Sequence, residues 1–144
     1  MEQRVSLITL GVTDMEVSAR FYDALGWTRV ETDDGVVVYD LLGQTLGLYP
    51  IAALAEDIGI AVEELGVGRA TLGYNCREKA EVAQVLSAVE AAGGRVLKSA
   101  VDVFWGGHHG YFADLDGHIW EVAHNPFSPL RKEDGAFRWN GGFE

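Results

Sequence analysis

One order of elements occurs twice in this chain, and it constrains the fold more than anything else in the sequence. In the first occurrence, residues 4–10 are β-branched and alternate loosely, which predicts a strand. Thr13 with Glu16 three residues on predicts a capping box at a helix start. Val17, Phe21, Ala24 and Leu25 form one stripe along that helix, and Gly26 ends it. Trp27 to Thr32 is expected to be a strand and Asp33-Asp34-Gly35 a turn. Val36 to Leu42 and Thr45 to Tyr49 are expected to be two more strands. The second occurrence runs from a strand at Ala70 to Cys76 into a helix at Glu78 to Ala92. Val82, Val85, Leu86 and Val89 lie on one face of that helix, and Gly93-Gly94 stops it. Strands are then expected at Arg95 to Leu97, His108 to Ala113 and His118 to Ala123. The last two are joined by Asp114-Leu115-Asp116-Gly117, with Gly117 in a left-handed position.

The repeat is one of structure: strand, amphipathic helix, glycine stop, three strands. It predicts an α+β fold of two βαβββ units, at residues 4–50 and 70–126, within a single domain over 1–126. Pro50 to Gly68 connects them and is expected to hold a short helix at Ile51 to Glu56. Residues 127–144 are expected to be an irregular arm carrying Phe137, Trp139 and Phe143. A βαβββ unit covers one sheet face with its own helix and leaves the other open. The units should therefore form a curved mixed sheet with an open ligand trough, paired in a homodimer.

Composition narrows the partners. The 144 residues carry a net charge of -11, which repels nucleic acid and anionic membrane surfaces. Apolar residues make up 48% and charged residues 23%, an ordinary globular balance. No apolar run is long enough for a transmembrane helix. Met1-Glu2-Gln3-Arg4 lacks the pattern of a signal peptide, so a cytoplasmic location is expected. The lone cysteine, Cys76, excludes an intrachain disulfide and any multi-cysteine zinc site, and is expected to be inert core.

Two stretches carry a resemblance. Leu10-Gly11-Val12-Thr13-Asp14-Met15, with Ser18 and Phe21-Tyr22-Asp23-Ala24-Leu25-Gly26-Trp27, resembles the opening of a vicinal-oxygen-chelate protein. That is the glyoxalase, bleomycin-resistance and dioxygenase superfamily. Gly110-Tyr111-Phe112-Ala113-Asp114-Leu115-Asp116-Gly117-His118-Ile119-Trp120-Glu121 resembles its closing hairpin, with Leu115 where a Pro is usual. The resemblance implies metal-ligand positions near Leu7 and Gly47, at Thr71 and at Glu121. Of these four, only Glu121 can bind a divalent metal. No metal and no other cofactor is therefore expected.

Strand alternation puts Leu7 and Thr9, then Gly47 and Tyr49, then Thr71 and Asn75 on the open faces. The resemblance adds Tyr111, and hence His109, with Glu121. Trp105, before Gly106-Gly107, resembles the Trp-Gly loop of relatives that sequester mitomycin-like drugs. It either lies over a ligand or packs on a neighbouring subunit. His109 is read as a hydrogen bonder or base in the pocket, or as a solvated strand-end histidine. Glu121, buried without a metal, needs a donor such as His109 or Tyr111, and the Glu121/His109 pair is the catalytic candidate. The leading expectation is metal-independent binding, or sequestration, of a small flat apolar or aromatic molecule. The alternative is a lyase, isomerase or dioxygenase acting through Glu121, with or without a metal. An interaction module without a ligand is the third class, and the open face speaks against it.

Overall fold

The structure is a computed structural model that describes residues 1–3, 5–32 and 36–142. The expected Asp33-Asp34-Gly35 turn, Arg4 of the first expected strand and Phe143 of the arm lie outside the described residues. The chain divides into two compact units, Met1–Val67 and Gly68–Glu144. Each holds one open sheet, of three strands in the first and four in the second.

In the first unit the elements are β1 (Leu7–Val12), α1 (Met15–Ala24), β2 (Val37–Asp40), β3 (Thr45–Pro50) and α2 (Ile51–Ile58). Strand β3 is central, parallel to β1 and antiparallel to β2. The side chains of Leu10, Val12, Leu46, Leu48 and Tyr39 are buried, as are Ala19, Phe21 and Tyr22 of α1. Burial of such side chains is the main favourable term holding helix to sheet. The N-cap of α1 is Asp14, whose Oδ1 accepts from the Val17 amide at 2.9 Å, in place of the Thr13 capping box expected from sequence. Gly26 takes φ 95°, as a helix stop requires.

Trp27 to Thr32 departs from the expected strand and runs as irregular chain. Tertiary contacts pull its side chains away from a pleat. Trp27 stacks on Tyr22 with ring centroids 5.3 Å apart, and Arg29 turns onto α1, reaching Asp23 at 2.6 Å and Glu16 at 2.8 Å. A backbone bond from the Val30 amide to the Val38 carbonyl, 2.9 Å, ties the segment to β2. Tyr39 completes this corner, its hydroxyl 2.9 Å from both the Ala19 carbonyl and the Asp23 carboxylate. The hydrogen bond from Arg29 holds Asp23 below the usual carboxylate range, while burial raises Tyr39.

The second unit follows the expected βαβββ order in full: β4 (Leu72–Asn75), α3 (Lys79–Ala91), β5 (Arg95–Asp102), β6 (His108–Ala113) and β7 (Ile119–His124). The sheet order is β4-β7-β6-β5. Glu81 accepts from the Arg77 and Glu78 amides at 2.8 and 3.1 Å, satisfying donors at the start of α3. Val82, Leu86 and Val89 are buried where α3 packs on β5, β6 and β7. On the same side of the sheet, Phe112 and Trp120 stack with centroids 6.0 Å apart and planes within 2°. Gly110 is required there, because a β-carbon would come 2.6 Å from Leu86 and from the Lys98 carbonyl.

The β6–β7 turn is built on buried Asp114. Its carboxylate accepts from the Asp116 and His118 amides and pairs with the His118 ring at 2.8 Å. Gly117 takes φ 88°, the left-handed position expected from the sequence. Beyond Pro126 the chain is irregular except for a short 3-10 turn at Trp139–Gly141. It is nonetheless fastened to the second unit. Arg77 donates to the Arg131 carbonyl at 3.0 Å, and Ser128 and Ala136 are buried.

Candidate functional site

The face of the second sheet turned away from α3 carries the chemistry. Pairing sets its rows: Gly73, Glu121, Tyr111 and Lys98 in one, and Asn75, Ala123, His109 and Val101 in the next. His109 and Glu121 are thus diagonal neighbours on adjacent strands, within reach of one another. The His109 Nδ1 lies 2.7 Å from the Glu121 carboxylate. Burial first, and then the nearby Glu121 carboxylate, raises the Tyr111 phenol. The rings of His109 and Tyr111 meet edge to face at 5.1 Å. His109 is 8% exposed, so it belongs to a built arrangement rather than to a solvated strand end.

Lys98 is the member of this cluster that the sequence did not disclose. Its Nζ lies 3.1 Å from the His109 Nε2. Strand β5 was expected to end at Leu97, yet it continues to Asp102 with register shifts between Val96 and Lys98 and between Lys98 and Val101. Each shift adds one residue to β5 relative to β6. The first brings Lys98, rather than Leu97, opposite Tyr111. A bulge re-aims side chains in this way, and strict alternation cannot foresee it.

Trp105 stands on the β5–β6 loop, which is closed by bonds from the Val103 amide to the Gly107 carbonyl, 3.0 Å, and from the Gly106 amide to the Val103 carbonyl, 2.9 Å. The indole folds back onto Gly107, where a β-carbon would come 1.8 Å from the ring. Gly106 takes φ 93°, and the Phe127 ring lies where its β-carbon would be, 2.9 Å away. The two glycines therefore shape the loop so that the Trp105 and His109 rings meet nearly perpendicular, with centroids 6.3 Å apart. Trp105, His109 and Tyr111 form a wall of rings beside a carboxylate and an ammonium.

The remaining candidates are divided between the two units. Asn75 is in the His109 row, half-buried, while Thr71 precedes β4 and is exposed. Leu7, Thr9, Gly47 and Tyr49 lie in the first unit's sheet, where Leu7 pairs with Thr45 and Thr9 with Gly47. Leu7 and Val38 approach the position a β-carbon of Gly47 would take, at 3.6 and 3.8 Å. His108 points away from His109 and pairs with Asp102 at 2.8 Å, an acid that Lys79 also holds. His118 serves the Asp114 turn, and the His124 Nδ1 lies 3.5 Å from the Cys76 carbonyl. Burial pushes the buried Cys76 thiol up to about 11.

The four positions implied for a metal do not fit one. Leu7 and Gly47 have no side-chain donor atom, Thr71 offers only a neutral hydroxyl, and Glu121 is held by His109 and Tyr111. A resident metal needs about three or more suitable ligands. Among the described residues, no three His, Cys, Asp or Glu side chains come together as such a set.

The sequence signature of the Glyoxalase/Bleomycin resistance protein/Dioxygenase superfamily matches residues 4–122, and the chain belongs to that superfamily. It is 40% identical to a glyoxalase-related enzyme from Fulvimarina pelagi, covering 96% of this chain and 99% of that one with a TM-score of 0.87. A hypothetical protein from S. aureus is 26% identical over 87% of this chain and 95% of its own, with a TM-score of 0.76. A lactoylglutathione lyase from Agrobacterium tumefaciens, 22% identical over 86% of this chain and 95% of its own, shares the fold with a TM-score of 0.64. No protein of curated function matches the chain. Among the described residues, no helix is long and apolar enough to cross a membrane.

Proposed function

We propose that the chain binds a small, flat, largely apolar molecule without a metal, on the face of the second sheet that carries Trp105, His109, Tyr111 and Glu121. Its role is sequestration, in the cytoplasm and as a homodimer. The observation that carries this reading is the loop of Trp105, whose ring is seated on Gly107 and set nearly perpendicular to His109. Aromatic walls around a few fixed polar groups are what small-molecule sites offer. The polar groups here are already hydrogen-bonded to one another, which orients a ligand and does not demand a cation.

Trp105→Ala tests it. Losing the ring removes stacking on the order of 0.5–1.5 kcal/mol together with its buried area. With polycyclic aromatic antibiotics as probes, we expect binding to weaken about tenfold or more, and the fluorescence quench on binding to shrink. The thermal melt should change little, because Trp105 is half-buried in a hairpin loop. A variant that melts far below wild type, or binds every antibiotic that wild type binds just as tightly, overturns the reading. Light scattering on the same preparation tests the homodimer.

One observation favours a second reading. His109 and Glu121 at 2.7 Å form an acid–base pair suited to proton transfer in a lyase or isomerase. The 40% identical protein is described as a glyoxalase-related enzyme, which is consistent with chemistry at this face.

A further inference from the structure

Lys98 is the one member of the cluster that neither a plain apolar face nor a His–Glu pair requires. The bulge between Val96 and Lys98 places it opposite Tyr111, and its side chain is exposed while its Nζ lies 3.1 Å from the His109 Nε2. An ammonium has three donors and no acceptor. The contact therefore fixes Nε2 as the acceptor and leaves Nδ1 to donate to Glu121 at 2.7 Å. The groups facing His109 are Lys98 from β5, Tyr111 from its own strand and Glu121 from β7. Burial and the Glu121 charge keep the Tyr111 phenol protonated, so it is not the base. The cluster thus joins a lone pair, a carboxylate behind it, and a cation on a flexible stem able to swing aside.

We propose that the ligand taken at this face carries an acidic hydroxyl on a flat conjugated frame, a phenol or an enol, and is held as its anion. The proposal rests on the binding reading above and adds the chemical class. The O–H bond of the ligand breaks, its electron pair stays on oxygen, and the proton forms an N–H bond at Nε2 of His109. Lys98 turns from Nε2 to the new oxyanion. Glu121, hydrogen-bonded at Nδ1, balances the imidazolium. One negative charge appears on the ligand and one positive charge on the histidine, so the sum is unchanged. Charge-assisted hydrogen bonds of this kind are the stronger sort. The conjugated frame then lies toward Trp105, beside whose ring His109 already stands.

The experiment compares para-nitrophenol with para-nitroanisole, the same ring without the acidic proton. It is run at a pH where the free phenol is mostly protonated. We expect wild type to bind the phenol about tenfold or more tightly than the anisole, with the phenolate absorption band appearing on binding. Lys98→Met and His109→Gln should each remove most of that preference and the band. His108→Gln, on the neighbouring histidine that pairs with Asp102, should retain both. Equal affinity for phenol and anisole in wild type overturns this proposal and spares the binding reading. So does a phenolate band that survives in both Lys98→Met and His109→Gln. Failure of both compounds, and of the antibiotics above, to bind wild type overturns the two together.

Discussion

The two units are built to the same plan and use their charged side chains in opposite ways. In the first, Arg29 clasps Glu16 and Asp23 of α1, and Tyr39 reaches the same Asp23 from β2. Every polar partner there tethers a helix to the chain beside it. In the second, Lys98, His109, Tyr111 and Glu121 all come from strands and meet on the face opposite the helix. All four histidines of the chain lie in this unit. In the first unit the clustered ionisable groups serve the architecture; in the second, pairs such as Asp114–His118 and Lys79–Asp102 do so, and the cluster of Lys98, His109 and Glu121 is left facing outward.

The largest expected effect tests the apolar packing of the second unit. Trp120 is 5% exposed and stacked on Phe112 beneath α3. Trp120→Ala should cost about 3–5 kcal/mol in chemical denaturation, because a buried ring leaves a cavity that the sheet cannot close. Trp27 of the first unit is only half-buried, and Trp27→Ala should cost less. If Trp27→Ala proved the more damaging, the contrast between an apolar-held and a charge-held unit would fail.

A smaller effect separates the units by pH. Hydrogen bonds from Arg29 hold both Asp23 and Glu16 below the usual carboxylate range. Their folded values lie below their unfolded ones. The resulting stabilisation is therefore complete above the unfolded range, near pH 4, and is lost as pH falls through the folded values. In melts taken from neutral pH downward, wild type should lose stability in that acid window, and Arg29→Met should show a flatter decline there. Parallel curves for the two proteins would mean that the clasp contributes nothing to the first unit.

Where the sequence was legible, a short-range rule governed the outcome. Gly26 and Gly117 were readable because a helix stop and a tight turn both need a left-handed backbone. The second unit's βαβββ order was readable because its helix stripe and strand runs have clean periods. His109, Tyr111 and Glu121 meet as alternation and resemblance together implied. Two failures have one physical cause. Trp27 to Thr32 has the composition of a strand, but Tyr22 and α1 capture its Trp and Arg. Lys98 follows the expected end of its strand at Leu97, but the bulge between Val96 and Lys98 brings it into the cluster. In both cases a side-chain contact or a strand pairing overrides the local period. At the cap of α1, Thr13 and Asp14 are both capable caps, and only geometry chooses Asp14.

The smallest effect is the position of one hydrogen atom, and it isolates the second unit's cluster from any question of ligand. His108, His109 and His118 each place Nδ1 against a carboxylate, at 2.8, 2.7 and 2.8 Å. The other nitrogen of His109 faces a cation, Lys98 at 3.1 Å. Two donors cannot face each other across that distance, so the neutral ring must carry its hydrogen on Nδ1 and keep Nε2 bare. Nitrogen-15 NMR of the ring should therefore report His109 as the Nδ1–H form near neutral pH. Lys98→Met should leave the hydrogen on Nδ1, because Glu121 still accepts it, but should let Nε2 accept from water instead. Glu121→Ala removes the acceptor, and the Nε2–H form should then gain population if Lys98 moves away. A wild-type ring with its hydrogen on Nε2 would show that Lys98 does not address this histidine. The charged groups of the second unit would then be as self-contained as those around Arg29.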